Sequence, residues 1–196
     1  MYAKTMNKIN SLAIFCGSSL GNSQQYIKSA LKMGEALVDE KISLVYGGGN
    51  IGLMGTIATY VFEHGTQVIG VLPQKLNLPQ VVNKKVETKR IIVETMHERK
   101  AMMYELSDGF IALPGGIGTF EEFFEAYTWL QLGYHRKPVG LLNVNGFYDE
   151  LLSFLNNAVK SGFMKKAVLD ILVVEEDPYV LIDRMRNINL KLPQKV

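Results

Sequence analysis

Glycine clusters three times in this chain, in spacings suited to holding an anion. Gly17-Ser18-Ser19 is followed by Gly21, Gly47-Gly48-Gly49-Asn50-Ile51 leads to Gly52, and Pro114-Gly115-Gly116-Ile117-Gly118-Thr119 forms the third. A backbone free of side chains can approach a phosphate closely, and a helix that follows presents N–H groups to it. One such turn is a weak signal, since tight turns with nothing bound look the same; three in one chain describe a phosphate or nucleotide cradle. The familiar nucleotide motifs are incomplete. Gly47-x-Gly49-x-x-Gly52 fits the dinucleotide fingerprint, yet the next apolar run ends Val71-Leu72-Pro73, with no carboxylate to meet a ribose. No Gly-Lys pair occurs, which excludes a Walker-type loop. His64, His97 and His135 lie on separate segments without ligand spacing, so no metal is expected.

The elements that must position these turns alternate along the chain. Short apolar runs at Leu12–Cys16, Ile42–Tyr46, Gln67–Leu72, Arg90–Val93, Phe110–Leu113, Pro138–Leu142 and Ile171–Val174 read as strands. Helical patterns lie between them, near Gln24–Asp39, Leu53–Glu63, His97–Leu106, Phe120–Leu132 and Tyr148–Val159, with a last one after Pro178. Strands apolar on both faces, alternating with helices, predict one α/β domain over residues 1–196: a mostly parallel sheet of about seven strands covered on both sides. Ligands of such sheets sit beyond the carboxyl ends of the strands, where all three glycine turns fall. Pro73 to Asn83 reads as a polar loop, and the first ten residues as flexible.

Composition narrows the classes. The 196 residues are 47% hydrophobic and 20% charged, with a net charge of +2. That charge is too small for a nucleic-acid surface, and Lys84, Lys85, Lys89 and Arg90 read as a solvated basic edge. No apolar stretch is long enough to span a bilayer. The single cysteine, Cys16, lies in an apolar run and reads as a buried core thiol. With no apolar leader near Met1, a cytoplasmic location is expected.

Two further segments carry charge beside the turns: Met96-His97-Glu98-Arg99-Lys100, and Phe120-Glu121-Glu122 after the third glycine cluster. Here the chain resembles the Lonely guy (LOG) family, cytokinin riboside 5′-monophosphate phosphoribohydrolases often mislabelled lysine decarboxylases. That family is marked by PGGxGTxxE, matched from Pro114 to Glu122, and by MHxRK, matched from Met96 to Lys100. The resemblance also takes in Cys16-Gly17-Ser18-Ser19, Tyr46-Gly47-Gly48-Gly49, Gly52-Leu53-Met54-Gly55, Thr128-Trp129-Leu130-Gln131-Leu132-Gly133 and Lys137-Pro138-Val139-Gly140-Leu141-Leu142-Asn143. It implies a modified Rossmann-like fold, a homodimer, and a nucleoside 5′-monophosphate as substrate, with no cofactor. It implies Arg99 and Glu122 as the catalytic pair. As substrate contacts it implies Lys100, Gly115, Gly116, Ile117, Gly118, Thr119, Phe120, Glu121 and Thr128, joined by Ser18 and Gly48 from the other two turns. The family often carries a Glu after the third strand; a gapless count from Arg99 puts Val81 there.

These roles make chemical sense. Breaking an N-glycosidic bond builds positive charge on the sugar, which a carboxylate stabilises more in the transition state than in the ground state. The same carboxylate can deprotonate the attacking water. Arg99, with a pKa above ~12, is no proton donor and belongs against the base or the phosphate. Lys100 reads as a point charge for that phosphate. Each residue also has a plainer explanation. Thr119-x-x-Glu122 has the form of a helix capping box, as does Thr95-x-x-Glu98, where capping is the expected role. Glu121, Glu125 and Thr128 share one helical face and fit a solvated stripe equally well. Trp129, Met102 and Met103 read as core. Two other functions compete: a carrier that holds a nucleotide or molybdenum cofactor without cleaving it, and an amino-acid decarboxylase, for which no lysine has a recognisable context.

Overall fold

The computed structural model describes residues 6–78 and 85–190. Among these, seven strands form one sheet: β1 (Ser11–Phe15), β2 (Ser43–Tyr46), β3 (Val68–Pro73), β4 (Lys89–Val93), β5 (Gly109–Ala112), β6 (Val139–Leu142) and β7 (Leu172–Glu175). Their order is β4-β3-β2-β1-β5-β6-β7, and every pairing is parallel. The helices between them are α1 (Gln24–Asp39), α2 (Gly52–Glu63), α3 (Met96–Leu106), α4 (Ile117–Leu132), α5 (Asp149–Lys160), α6 (Lys166–Asp170) and α7 (Pro178–Asn187). The sheet is thus wholly parallel where a mostly parallel one is expected from sequence. The short α6 is an addition that its five residues hide from any periodicity argument.

Alternation along the strands builds two cores. On β1, Leu12 and Ile14 face a layer made by α1, α2 and α7, while Ala13 and Phe15 face α3, α4, α5 and α6. Burial on both faces is what a parallel sheet under two helical layers requires. Only the edge strand β4 is largely open to solvent, and there Arg90 pairs with the buried Glu87 carboxylate at 2.7 Å.

Local signals set the helix starts. Ser23 caps α1 by accepting from the Gln25 amide, and Asp177 caps α7 just before Pro178, a residue preorganised for a first helical turn. Two loop expectations need correction. Pro73 closes β3 and a 3-10 turn follows at Gln74–Leu76, so the polar loop starts later than its composition suggests. The amino-terminal segment is tied down by residue 7: Asn7 donates from its side chain to the Met185 and Ile188 carbonyls, and Ile9 is buried. Val81 lies outside the described residues.

Candidate active site

The three glycine turns follow β1, β2 and β5, which are neighbours in the sheet. The strand order reverses between β1 and β5, so the turns meet at the switch point where ligands of open parallel sheets bind. Backbone bonds stitch them together. The Gly17 amide donates to the Pro114 carbonyl at 3.0 Å, and Leu53 and Met54 donate to Ser19 and Gly17 at 3.4 Å. A Cβ on Gly115 would stand 2.1 Å from the Thr119 hydroxyl and 2.9 Å from the Gly17 amide nitrogen, so no larger residue fits there.

This stitching sorts the three turns. The first amides of α2 are spent on the β1 turn, and α1 is capped by Ser23, so neither helix offers the free N–H groups expected of it. The start of α4 differs. It opens at Gly116 without a side-chain cap, Ile117 is 85% exposed, and a Cβ on Gly116 or Gly118 would meet nothing within 4 Å. Packing does not demand glycine at those two positions, and the missing side chains keep this helix start open to close approach. Gly48, by contrast, is buried against Leu72 and supports the fold, while Ser18 is exposed at the rim. Gly17-Ser18-Ser19-Leu20-Gly21 has the G-x-S-x-G form of a nucleophile elbow. Here, however, the Ser19 hydroxyl accepts from the Gly21 amide at 3.2 Å, closing the turn on itself.

Arg99 reaches across this edge from α3 and is 8% exposed. Its Nε donates to the Val71 carbonyl at 3.2 Å, and its Nη1 donates to Glu122 Oε1 at 2.8 Å. A Cβ on Gly47 would stand 2.0 Å from Nη2, so the β2 turn must be glycine for the guanidinium to pass. Glu122 is nearly as buried. Burial pushes its carboxyl above the ordinary range, Arg99 pulls it back, and Glu121 pushes it up again. Cys16 is buried beside this pair: desolvation, with help from the Glu122 charge, drives its thiol far up, so it is an inert core group.

The two meanings of Thr119-x-x-Glu122 now separate. The helix begins at Ile117, earlier than expected, which makes Thr119 its third residue and puts Glu122 a full turn too deep to cap anything. Its carboxylate is free for Arg99. Thr95-x-x-Glu98 does cap: the Thr95 hydroxyl accepts from the Glu98 amide at 3.1 Å, and Glu98 accepts from the Glu94 amide at 2.9 Å.

Lys100 departs from its expected role. It is buried, and its ammonium donates to Glu121 and, at 2.9 Å, to Glu125. Two carboxylates already neutralise it, so the geometry gives no support to a phosphate contact. Glu121 and Glu125 therefore clamp Lys100 between them, Glu125 half-buried and Glu121 still open to solvent. Thr128 is exposed on α4, roughly 9 Å along the helix axis from Glu122 at 1.5 Å per residue. The structure does not bring it to the pair. Sequence reasoning left Glu125 open and missed Tyr104, whose hydroxyl donates to Glu125 Oε2 at 2.7 Å. The signal was the i, i+4 spacing of Lys100 with Tyr104 and of Glu121 with Glu125.

A family model described as "Possible lysine decarboxylase" matches residues 54–185. The chain is 48% identical over 170 residues to the cytokinin riboside 5′-monophosphate phosphoribohydrolase LOG2 of Arabidopsis thaliana, covering 87% of this chain and 79% of that protein. It is 47% identical over 172 residues to the probable cytokinin riboside 5′-monophosphate phosphoribohydrolase LOGL3 of Oryza sativa subsp. japonica, covering 88% and 81%. Among solved structures, the molybdenum cofactor binding protein of Rippkaea orientalis superposes with a TM-score of 0.66 at 21% identity, covering 90% of this chain and 95% of that one. The molybdenum cofactor carrier protein of Chlamydomonas reinhardtii does so at 0.66 and 18% identity, covering 91% and 98%. At that identity the likeness speaks for the fold alone, a Rossmann-like α/β architecture. With identity near one half over most of its length, and with MHxRK and PGGxGTxxE facing each other across the switch point, the chain belongs to the Lonely guy (LOG) family.

Proposed function

We propose that the protein hydrolyses the N-glycosidic bond of a purine nucleoside 5′-monophosphate, its base adenine or N6-prenyladenine, giving free base and ribose 5-phosphate. The observation that carries this reading is the buried Arg99–Glu122 pair, 2.8 Å apart, at the sheet edge where the glycine turns converge. Relatives at 46–48% identity bear the name of that activity. The phosphate is assigned to the uncapped start of α4, Gly115 through Phe120, with Ser18 at the rim.

In the reaction the bond from ribose C1′ to the base nitrogen breaks, and its electron pair leaves with the base. Water adds to C1′, loses one proton and keeps the other as the new hydroxyl, while the departing base gains one proton, so that protons balance overall. Glu122 faces the developing positive charge and takes the proton from water. Arg99 opposes the effect of burial on Glu122, although desolvation still holds that carboxyl above its ordinary range, the direction that makes it a better proton acceptor. Its guanidinium, which passes over Gly47, is assigned to the base or the phosphate, since a cation gains nothing from facing the cationic sugar.

Incubation with AMP and with isopentenyladenosine monophosphate should release free base, seen by chromatography. Both nucleotides remaining intact would overturn the reading. Adenosine turned over as well as AMP would remove the phosphate assignment. A cytoplasmic homodimer belongs to the same proposal. On α4, Phe123, Tyr127 and Leu130 fill the core while Phe120, Phe124 and Trp129 stay half-buried, which supports a second partner for that helix. Light scattering at micromolar concentration should give about twice the 21.9 kDa chain mass.

A further inference from the structure

The α3–α4 contact carries more charge than a simple clasp needs. Beside Arg99–Glu122, the neighbouring Lys100 bridges Glu121 and Glu125, so three carboxylates face two cations. Glu125 is held on both oxygens: Oε1 accepts from Lys100 at 2.9 Å and Oε2 from the Tyr104 hydroxyl at 2.7 Å. The Tyr104 ring is fixed edge-on to Phe110 and Trp129, with centroids 5.0 and 4.9 Å away, and Lys137 donates to its carbonyl at 2.6 Å. This rigid cluster adjoins Glu122 in both sequence and space. We propose that Lys100, Glu121 and Glu125 form a positioning cluster that governs the charge state of the Glu122 carboxylate, on which the proposed hydrolysis rests.

The signs follow from position. The groups facing Glu122 are Arg99, Lys100 and Tyr104 from α3, Glu121 from its own helix, and the Cys16 thiol from the end of β1, with Glu125 linked to it through Lys100. Cys16 and Tyr104 stay neutral, because burial raises both far above neutrality. The charged neighbours beyond Arg99 are therefore the cluster itself. With one carboxylate in excess, a proton is most easily accepted at the buried member, Glu122. Lys100 works against that. Burial alone would weaken its own proton affinity, but its bonds to Glu121 and Glu125 raise it overall, so it stays a cation. Glu125 acts by holding Lys100 and by offsetting part of its charge.

The test is the pH dependence of kcat/KM for AMP, whose acid limb reports an essential base in the free enzyme. It is paired with a carboxyl-carbon NMR titration of Glu122, assigned by its loss in Glu122→Gln. Lys100→Met should move the Glu122 midpoint upward by about one pH unit, and Glu121→Gln should move it downward by a similar amount. The isosteric Glu125→Gln should move it downward by less, and it keeps the test available if Lys100→Met fails to fold. Midpoints unchanged in all folded variants, with turnover merely lowered, would make the cluster a structural clasp and overturn the proposal. A wild-type protein that cleaves no nucleotide would sink the reaction instead, while the NMR midpoints would still decide whether the cluster governs Glu122.

Discussion

Two segments of identical form, Thr95-x-x-Glu98 and Thr119-x-x-Glu122, open the two helices that face each other across the site, and they do opposite things. In α3 the threonine stands just before the first helical residue, and the glutamate four residues beyond the Glu94 amide bends back to it. In α4 the helix has already started at Ile117, so the same glutamate points sideways into Arg99. What separates a cap from a carboxylate paired to Arg99 is where the first turn begins. Just before that start, Gly115 lets Thr119 and the β1 turn close around it.

The largest effect that would sharpen this contrast is expected from Glu122→Gln. The amide keeps much of the shape but neither charge nor basicity, so turnover of AMP should fall on the order of a hundredfold or more. Affinity for a non-hydrolysed analogue and melting temperature should change little. Near-normal turnover would return Glu122 to a structural role. Next comes Gly47→Ala, whose new methyl would occupy the place of Arg99 Nη2. Displacing the guanidinium should cost about tenfold or more in kcat/KM by steady-state kinetics, since a shift of roughly 1 Å at a catalytic group has effects of this order. An Ala variant as active as wild type would show that Arg99 does not work where it stands.

Thr95→Ala addresses the other member of the comparison. Removing a true cap should cost about 1 kcal/mol by denaturant unfolding and leave kcat within about twofold. A large loss of turnover with unchanged stability would break the distinction. The smallest effect concerns the segment beyond the far end of α4, where His135 Nε2 lies 3.0 Å from the Ala126 carbonyl and Nδ1 accepts from the Lys137 amide. Burial lowers the His135 pKa to about 4, although the carbonyl bond opposes it. A histidine kept neutral by the fold contributes stability above its unfolded pKa of about 6.5, lost progressively as pH falls toward 4. Melting temperature should therefore drop over that window by a few degrees more in wild type than in His135→Asn.

Much of this was legible in the residues themselves. Apolar runs located all seven strands to within a residue or so, and the bounds of α1 follow from Ser23 and its amphipathic stripe. The start of α4 was hidden because Gly116 and Gly118 are poor helix formers, and composition reads them as loop. The partners of Lys100 were hidden for a different reason. They lie on another helix, and no period in the sequence states the register of α3 against α4. The glycine turns were visible as three equals, yet only hydrogen bonding reveals that two of them are occupied by the protein's own backbone and side chains.

The pairing of β1 with β5 also bears on how the chain acquires its activity during synthesis. Ile14 lies beside Ile111, nearly a hundred residues later, and the first glycine turn gains its bond to Pro114 only when those strands meet. Until β5 has left the ribosome, β1 has one open flank and the carbonyl for Gly17 does not exist. Closing so long a loop is entropically slow, and parallel sheets built this way fold late and expose edges while they wait. The Arg99–Glu122 pair is then assembled at the same moment as the centre of the sheet. A nascent chain interrupted before Gly109, where β5 begins, would carry two of the three glycine turns with nothing to join them, and an unprotected strand edge open to aggregation.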